Sequence, residues 1–493
     1  MAQIHVGEGQ QYKTLAKAAG AAKPGDEVIV HRKDTPYRER PSLPAGTTWR
    51  AAPGEKPPVI DGGWDGKALA ASARVDQCII RHADVTLIGL EFCNVPGRAI
   101  TIGPGGHRAR IIDCIVHDTY NGGIGLNGMG KMVNDVVIRG CRLYRVSRSS
   151  ETKKDGGVEG NFLFRWAKNV LIEDCHISGG FGEGAAAGVG CDGVTFRNCV
   201  IHTNAHLLVY ASNRAQNVLV EGCAFYQTGD PHYRQPDKDV GTGIVVGDEI
   251  RPDSKDDDWQ HAENVEVRYC TVVNAGALFS VRNNMKQVGG GWDGYQTTIQ
   301  NLWVHHCTFI AGPDTRGGVN VGENKQPPPR VRGRFEDNVV ILTNAGQWDV
   351  DAPGFVAKRN AFNILPDGLD ASNIRIEAAA LVNAAADVTG TLDNHKFDIG
   401  NYRPKANGPL ARAGIGALEP SGSEPDPEPD PEPEPQPAHE LIEIVRNIGP
   451  GGSITVRLAR PQDVVREEGG GIDWTKTTHT SMTHSVAPIP IGE

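Results

Sequence analysis

Apolar and polar positions along this chain repeat as one phrase, apolar-x-apolar-x-x-Cys-x-apolar. It reads ARIIDCIV at Cys114, VVIRGCRL at Cys141, VLIEDCHI at Cys175 and VTFRNCVI at Cys199. It continues as VLVEGCAF at Cys223, VEVRYCTV at Cys270 and LWVHHCTF at Cys307. Leu90 holds the cysteine step before the series, and Asn338 and Asn360 hold it afterwards. The shortest spacing is 24 residues, from Cys175 to Cys199 and again to Cys223. A fixed period of that size predicts stacked repeats, each burying its apolar side on its neighbours.

Alternation with period two and a wealth of β-branched residues predict strands. A second strand opens each unit: residues 99–103, 123–127, 162–166, 187–191, 207–211, 243–248, 279–283 and 319–323. Glycine and asparagine corners such as Asn121-Gly122-Gly123 supply the positive φ of tight bends. The expected fold is all-β, a right-handed parallel β-helix of about ten coils over roughly residues 75–365. Like positions on successive coils then stack, so the cysteines form a buried column of reduced thiols, continued by an asparagine ladder. No C-x-x-C pair or zinc-spaced Cys/His cluster stands in the chain, and no metal ligands are assigned.

Composition adds boundaries. Residues 419–437 alternate proline with acid and read as a stiff, solvated spacer carrying much of the net charge of −10. Residues 1–74 are read as a cap and first coils, with an amphipathic helix over Tyr12–Ala22, and 75–418 as the β-helix body and closing segment. Residues 438–493 form a small module of unassigned fold, the expected route to a homo-oligomer or larger assembly. Nothing in the charge pattern favours nucleic acid, and no apolar run is long enough to span a membrane. The opening MAQIHVGEGQ lacks the features of a signal peptide. Extracellular and virion-associated locations are both expected, the second by release with a virus particle.

The phrases YKTLAKAAGAAKPGDEVIVH, PYRERPSL and PVIDGG resemble the opening of the pectate-lyase-like β-helix superfamily, most of all its alginate lyase and chondroitinase B branch. FDIGNYRPKANGPLARAGIGALEP resembles the segment that closes such proteins. The resemblance covers about residues 3–418 and implies carbohydrate as ligand, in a superfamily of lyases, hydrolases, epimerases, viral tailspikes and non-catalytic members.

Candidate site residues come from the outward side of the opening strands. Stacked by coil, Arg165, Tyr210 and Arg282 fall one step past the strand core, with Asp248, Asn283 and Glu323 one step further. Insertions at 145–160, 227–242, 249–262 and 283–297 flank the same strands and bring Arg145, Arg148, Lys153, Lys154, Arg234 and Lys286 to that face. A basic groove there would attract a uronate polymer. The insertion Gly229-Asp230-Pro231-His232-Tyr233-Arg234 contains an Asp-Pro-His similar to that of mannuronan epimerases, without the Tyr-Gly-Phe that precedes it there. His232, Tyr233 and Arg282 are the candidate catalytic groups, and Arg165, Tyr210, Arg234, Asp248, Asn283 and Glu323 the candidate substrate contacts. Asp248, Glu249 and the run Asp253, Asp256, Asp257 and Asp258 would suit a hydrolytic carboxylate pair or Ca2+; no cofactor is assigned. Three classes stand open: an enzyme cleaving an acidic polysaccharide, of lyase type before epimerase or hydrolase; a tailspike or fibre recognising host glycan; and a non-catalytic adhesive β-helix.

Overall fold

The computed structural model describes residues 2–149, 151, 162–212, 214–234, 239–250, 262–285, 298–322, 330–385 and 388–417, and the strands Glu440–Asn447, Ser453–Ala459 and His479–Ser485. Two compact units divide the chain, Met1–Glu419 and Pro420–Glu493. In the second, the three strands make an antiparallel sheet in chain order.

The first unit is a parallel β-helix. Among the described residues, three parallel sheets of 13, 12 and 10 strands run its length, here sheets A, B and C. From Thr48–Ala51 onward the chain visits A, then B, then C in successive coils, and parallel crossovers of this kind are right-handed. The cysteine phrase is therefore two strands, not one: its first half lies in sheet A and its second in sheet B. The residue before the cysteine makes the bend. Asp113, Gly140, Asp174, Asn198, Gly222, Tyr269, His306, Asp337 and Arg359 all take φ between 52° and 64°, the left-handed region that Gly, Asn and Asp enter at least cost. The first coils lie within residues 1–74, since sheet A begins at Gln3–Val6.

The column of seven cysteines is buried, and all ten thiols of the chain are free. Each thiol serves its own bend. Sγ–H of Cys175, Cys199, Cys223, Cys270 and Cys307 donates at 3.2–3.3 Å to the carbonyl two residues earlier. A small apolar group with one weak donor suits that place, and burial pushes the Cys223 thiol well up. Where the bends carry asparagine, the amides form a ladder. Cys307 N–H donates to Asn338 Oδ1 (2.9 Å), Asn338 N–H to Asn360 Oδ1 (3.0 Å) and Asn360 N–H to Asn373 Oδ1 (3.0 Å).

The helix Leu15–Ala21, capped by Thr14 Oγ1 accepting from Lys17 N–H at 3.2 Å, joins the core through Leu15 and Ala18. The closing segment covers the outer face of sheet B. Leu381, Val388, Tyr402, Leu410 and Ile415 pack on Tyr226, Val273, Ile310, Val339 and Ile341. Sheet B strands such as Thr271–Val273 and Thr308–Ile310 are thus buried on both faces.

Candidate functional site

Sheet C keeps the strands expected at its edges but not their common register. Ile102, Leu126, Phe164, Ala187, Ala211, Val246, Val281 and Val321 pair across coils as one inward row. One step further stand Asn127 and Arg165, paired with each other, then Ser212, Gly247 and Arg282. Ser212, not Tyr210, therefore shares the row of Arg282. The strand expected at 187–191 lies at Glu183–Ala187, and the next is irregular at its start. Leu208 and Val209 both turn into the core, and a Cβ at Gly184 would stand 2.4 Å from the Leu208 carbonyl oxygen. Tyr210 consequently sits two positions back, in a row with Ala186, Val245, Ser280 and Asn320. It is 3% exposed, clustered with Ala186, Leu207 and Val245 rather than open to a groove.

The Asp-Pro-His loop is built as scaffold. Asp230 Oδ1 accepts from His232 N–H at 2.9 Å and caps a single 3-10 turn, Pro231–Tyr233. Its Oδ2 accepts from Leu392 N–H at 2.8 Å, tying the closing segment to the loop. Tyr233 is 5% exposed, packed with Phe181, Ala205 and Leu392, and burial raises its phenol. Arg234 is pinned by its own loop, donating to Gly229 O (2.9 Å) and to Asp314 (2.7 Å). His232 alone is open, 57% exposed, with Nε2 at 3.4 Å from Glu151. That contact joins the 145–160 and 227–242 insertions.

The basic face is largely compensated where it is described. Arg145 and Arg148 both pair with Asp118, at 2.7 and 3.4 Å. Although burial opposes it, the His117 and Arg145 bonds hold the Asp118 carboxyl far below the usual carboxylate range. Arg165 is half-buried. The backbones of Asp248 and Asn283 pair in register, their side chains falling outside the described residues. Glu323, Lys153, Lys154, Lys286 and the acidic run at Asp253, Asp256, Asp257 and Asp258 also lie outside them. Among the described residues no group of three His, Cys, Asp or Glu side chains is arranged to hold a metal ion.

What the fold does assemble is a cleft of about 280 Å³ at the corner where the chain passes from sheet B into sheet C. Its lining includes His206, Asp239, Thr242, Arg282, Arg316 and Asn320. Arg282 reaches back along its strand, and its Nη2–H donates to Thr242 Oγ1 at 2.7 Å. Arg316 pairs with Asp239 across the rim. His206 Nδ1 is buried, and among the described residues it has no hydrogen-bond partner. Burial, then the Arg282 charge, lower the imidazole to about 4, so it is neutral at physiological pH. Gly276 gives the floor its depth, because a Cβ there would stand 2.4 Å from the Val240 carbonyl oxygen.

Arg282 was legible as a candidate; His206, Asp239, Arg316 and Asn320 were not. His206 and Arg316 stand directly before the strands Leu207–Ser212 and Gly317–Val321, whereas the candidates read from the sequence stand past the strand ends. The one signal was a basic residue immediately ahead of an apolar run, which many surface turns share.

Comparison with known proteins agrees with this architecture. The family described as right handed beta helix region matches residues 78–249. A rhamnogalacturonan lyase structure superposes with TM-score 0.51 at 14% identity, covering 85% of this chain and 100% of that one. Pectate lyase Pel9A follows at 0.46 and 12% identity, over 83% and 91%. A family 28 exopolygalacturonase of Yersinia enterocolitica gives 0.44 and 10% identity, over 76% and 77%. No curated protein sequence matches the chain. The protein is a right-handed parallel β-helix, a fold it shares with the rhamnogalacturonan lyase structure.

Proposed function

We propose that this protein binds an acidic polysaccharide over sheet C and cleaves it by β-elimination in the His206–Arg282 cleft. The observation that carries the reading is a neutral imidazole beside a guanidinium, one ring nitrogen having no hydrogen-bond partner among the described residues. A guanidinium opposite a uronate carboxylate neutralises it and makes the C5 proton more acidic. The His206 imidazole then accepts that proton, the C4–O4 bond breaks, O4 departs taking a proton from solvent, and a C4–C5 double bond forms in the product. A carboxylate seated on Arg282 also cancels the charge that depresses His206, so the base strengthens once substrate is bound. The names of the superposed structures, a rhamnogalacturonan lyase among them, support carbohydrate as the ligand class. Hydrolysis by paired carboxylates is less favoured. Among the described lining residues only Asp239 carries a carboxylate, and Arg316 occupies it.

The test is a panel of uronate polymers scored for the ultraviolet absorbance of unsaturated products. Arg282→Ala should lower kcat/KM by roughly 100-fold or more with unchanged folding. Binding without product would support the adhesive reading, and saturated products a hydrolase.

A further inference from the structure

Away from the cleft, a cluster of titratable groups lies where the closing segment crosses sheet B. His176 and His202 stand on neighbouring sheet B strands with their Nε2 atoms 2.9 Å apart. His202 Nδ1 meets Thr203 Oγ1 at 2.8 Å. Its ring lies flat on Tyr226, centroids 4.4 Å apart and planes 5° from parallel. From the closing segment, Phe397 stacks on Tyr226 at 3.9 Å, and His395 lies 4.9 Å from His202. His395 uses both nitrogens: Nδ1–H donates to the Thr391 and Leu392 carbonyls, and Nε2 accepts from Tyr226 Oη–H at 3.0 Å.

This arrangement does not accommodate both His176 and His202 as cations. Between the facing nitrogens of His176 and His202 there is room for one proton, so a second would set two donors against each other. The other ionisable groups facing the stack do not help: Tyr226 is neutral, and Arg142, from the adjoining strand, is a cation that disfavours charge on His176. Among the described residues no carboxylate hydrogen-bonds to any of the three imidazoles. Asp230, which the segment engages, is taken by the Leu392 and His232 amides.

We infer that this stack is an acid-released latch: protonation of His176 and His202 frees residues 388–397 from sheet B while the β-helix stays folded. The sign follows from burial, which holds His202 well below its ordinary range and His176 below it too. The docked state binds fewer protons than the released one. Docking is therefore fully favoured above the free-imidazole value and weakens as pH falls below it. Release would uncover Thr228 and Asp230, which accept from the Gly390 and Leu392 amides when the segment is docked.

Hydrogen exchange of the full chain, corrected for intrinsic rates, tests this between about pH 8 and about pH 5. The opening constant of residues 388–397 should rise about tenfold per pH unit below about pH 6.5 for each proton taken up, with strand Gln216–Glu221 still protected. His202→Gln should flatten that dependence, and His176→Gln gives the same readout if the first variant folds poorly. Equal protection of the segment at both ends of the range would overturn the latch. So would its loss only together with Gln216–Glu221, or an unchanged pH dependence in the glutamine variants.

Discussion

The Asp230 carboxylate and the Leu392 amide, 162 residues apart in the chain, are joined by a 2.8 Å hydrogen bond. The same carboxylate caps the turn that carries His232. A sequence motif with the look of acid–base chemistry is thus a joint between an insertion and the closing segment.

Asp230→Ala removes both bonds and should cost about 1–3 kcal/mol of stability, as lost caps and buried acceptors do. His232→Ala, at an exposed ring, should change stability by no more than about 0.5 kcal/mol and leave turnover intact. Urea denaturation of the two variants measures the order. A catalytically dead His232→Ala would return that residue to the active site.

The buried thiol column gives a second prediction. Cys199 is fully enclosed between Cys175 and Cys223, so Cys199→Asp places a carboxylate in a dry core. A loss of more than about 4 kcal/mol is expected, or failure to fold. In the native protein these thiols should resist alkylation until the chain is unfolded. A variant that melts like the parent would mean that the column faces outward.

The asparagine ladder should be costlier to interrupt than any surface pair. Asn360 accepts from the Asn338 backbone and side chain and donates to Phe335 O and Asn373 Oδ1. Asn360→Ala strands several buried polar groups, for a loss of roughly 2–4 kcal/mol at ~1–3 kcal/mol each with partial relaxation. The thermal unfolding midpoint reports it.

His206 sets a pH dependence whose sign can be worked out. Its folded value is depressed to about 4, below that of a free imidazole, so it is unprotonated at neutral pH. Its contribution to stability is present above about pH 6.5 and lost as pH falls toward 4. As the proton acceptor of free enzyme, it should keep kcat/KM level through neutrality and let it fall only as pH approaches 4. A limb centred near the ordinary imidazole value would assign the base elsewhere. Titrating His206 by NMR with a uronate oligomer bound should show its value raised.

Sequence alone determined the repeat, the parallel β-helix, the buried column and the asparagine steps that continue it. Each rests on local alternation and period, which survive in one dimension because every coil obeys the same packing. The sheet C register did not survive. Glu183–Ala187 is a run of small residues without alternation, and the irregular pair Leu208–Val209 shifts the next strand. A slip of two positions keeps Tyr210 on the outward face yet moves it out of the row of Arg282. Tertiary structure alone decided the site. His206 and Arg282 meet because coils stack, and Arg316 meets Asp239 because two separate turns converge on one corner. It also decided that Tyr233 is core, since the segment that buries it arrives from far down the chain.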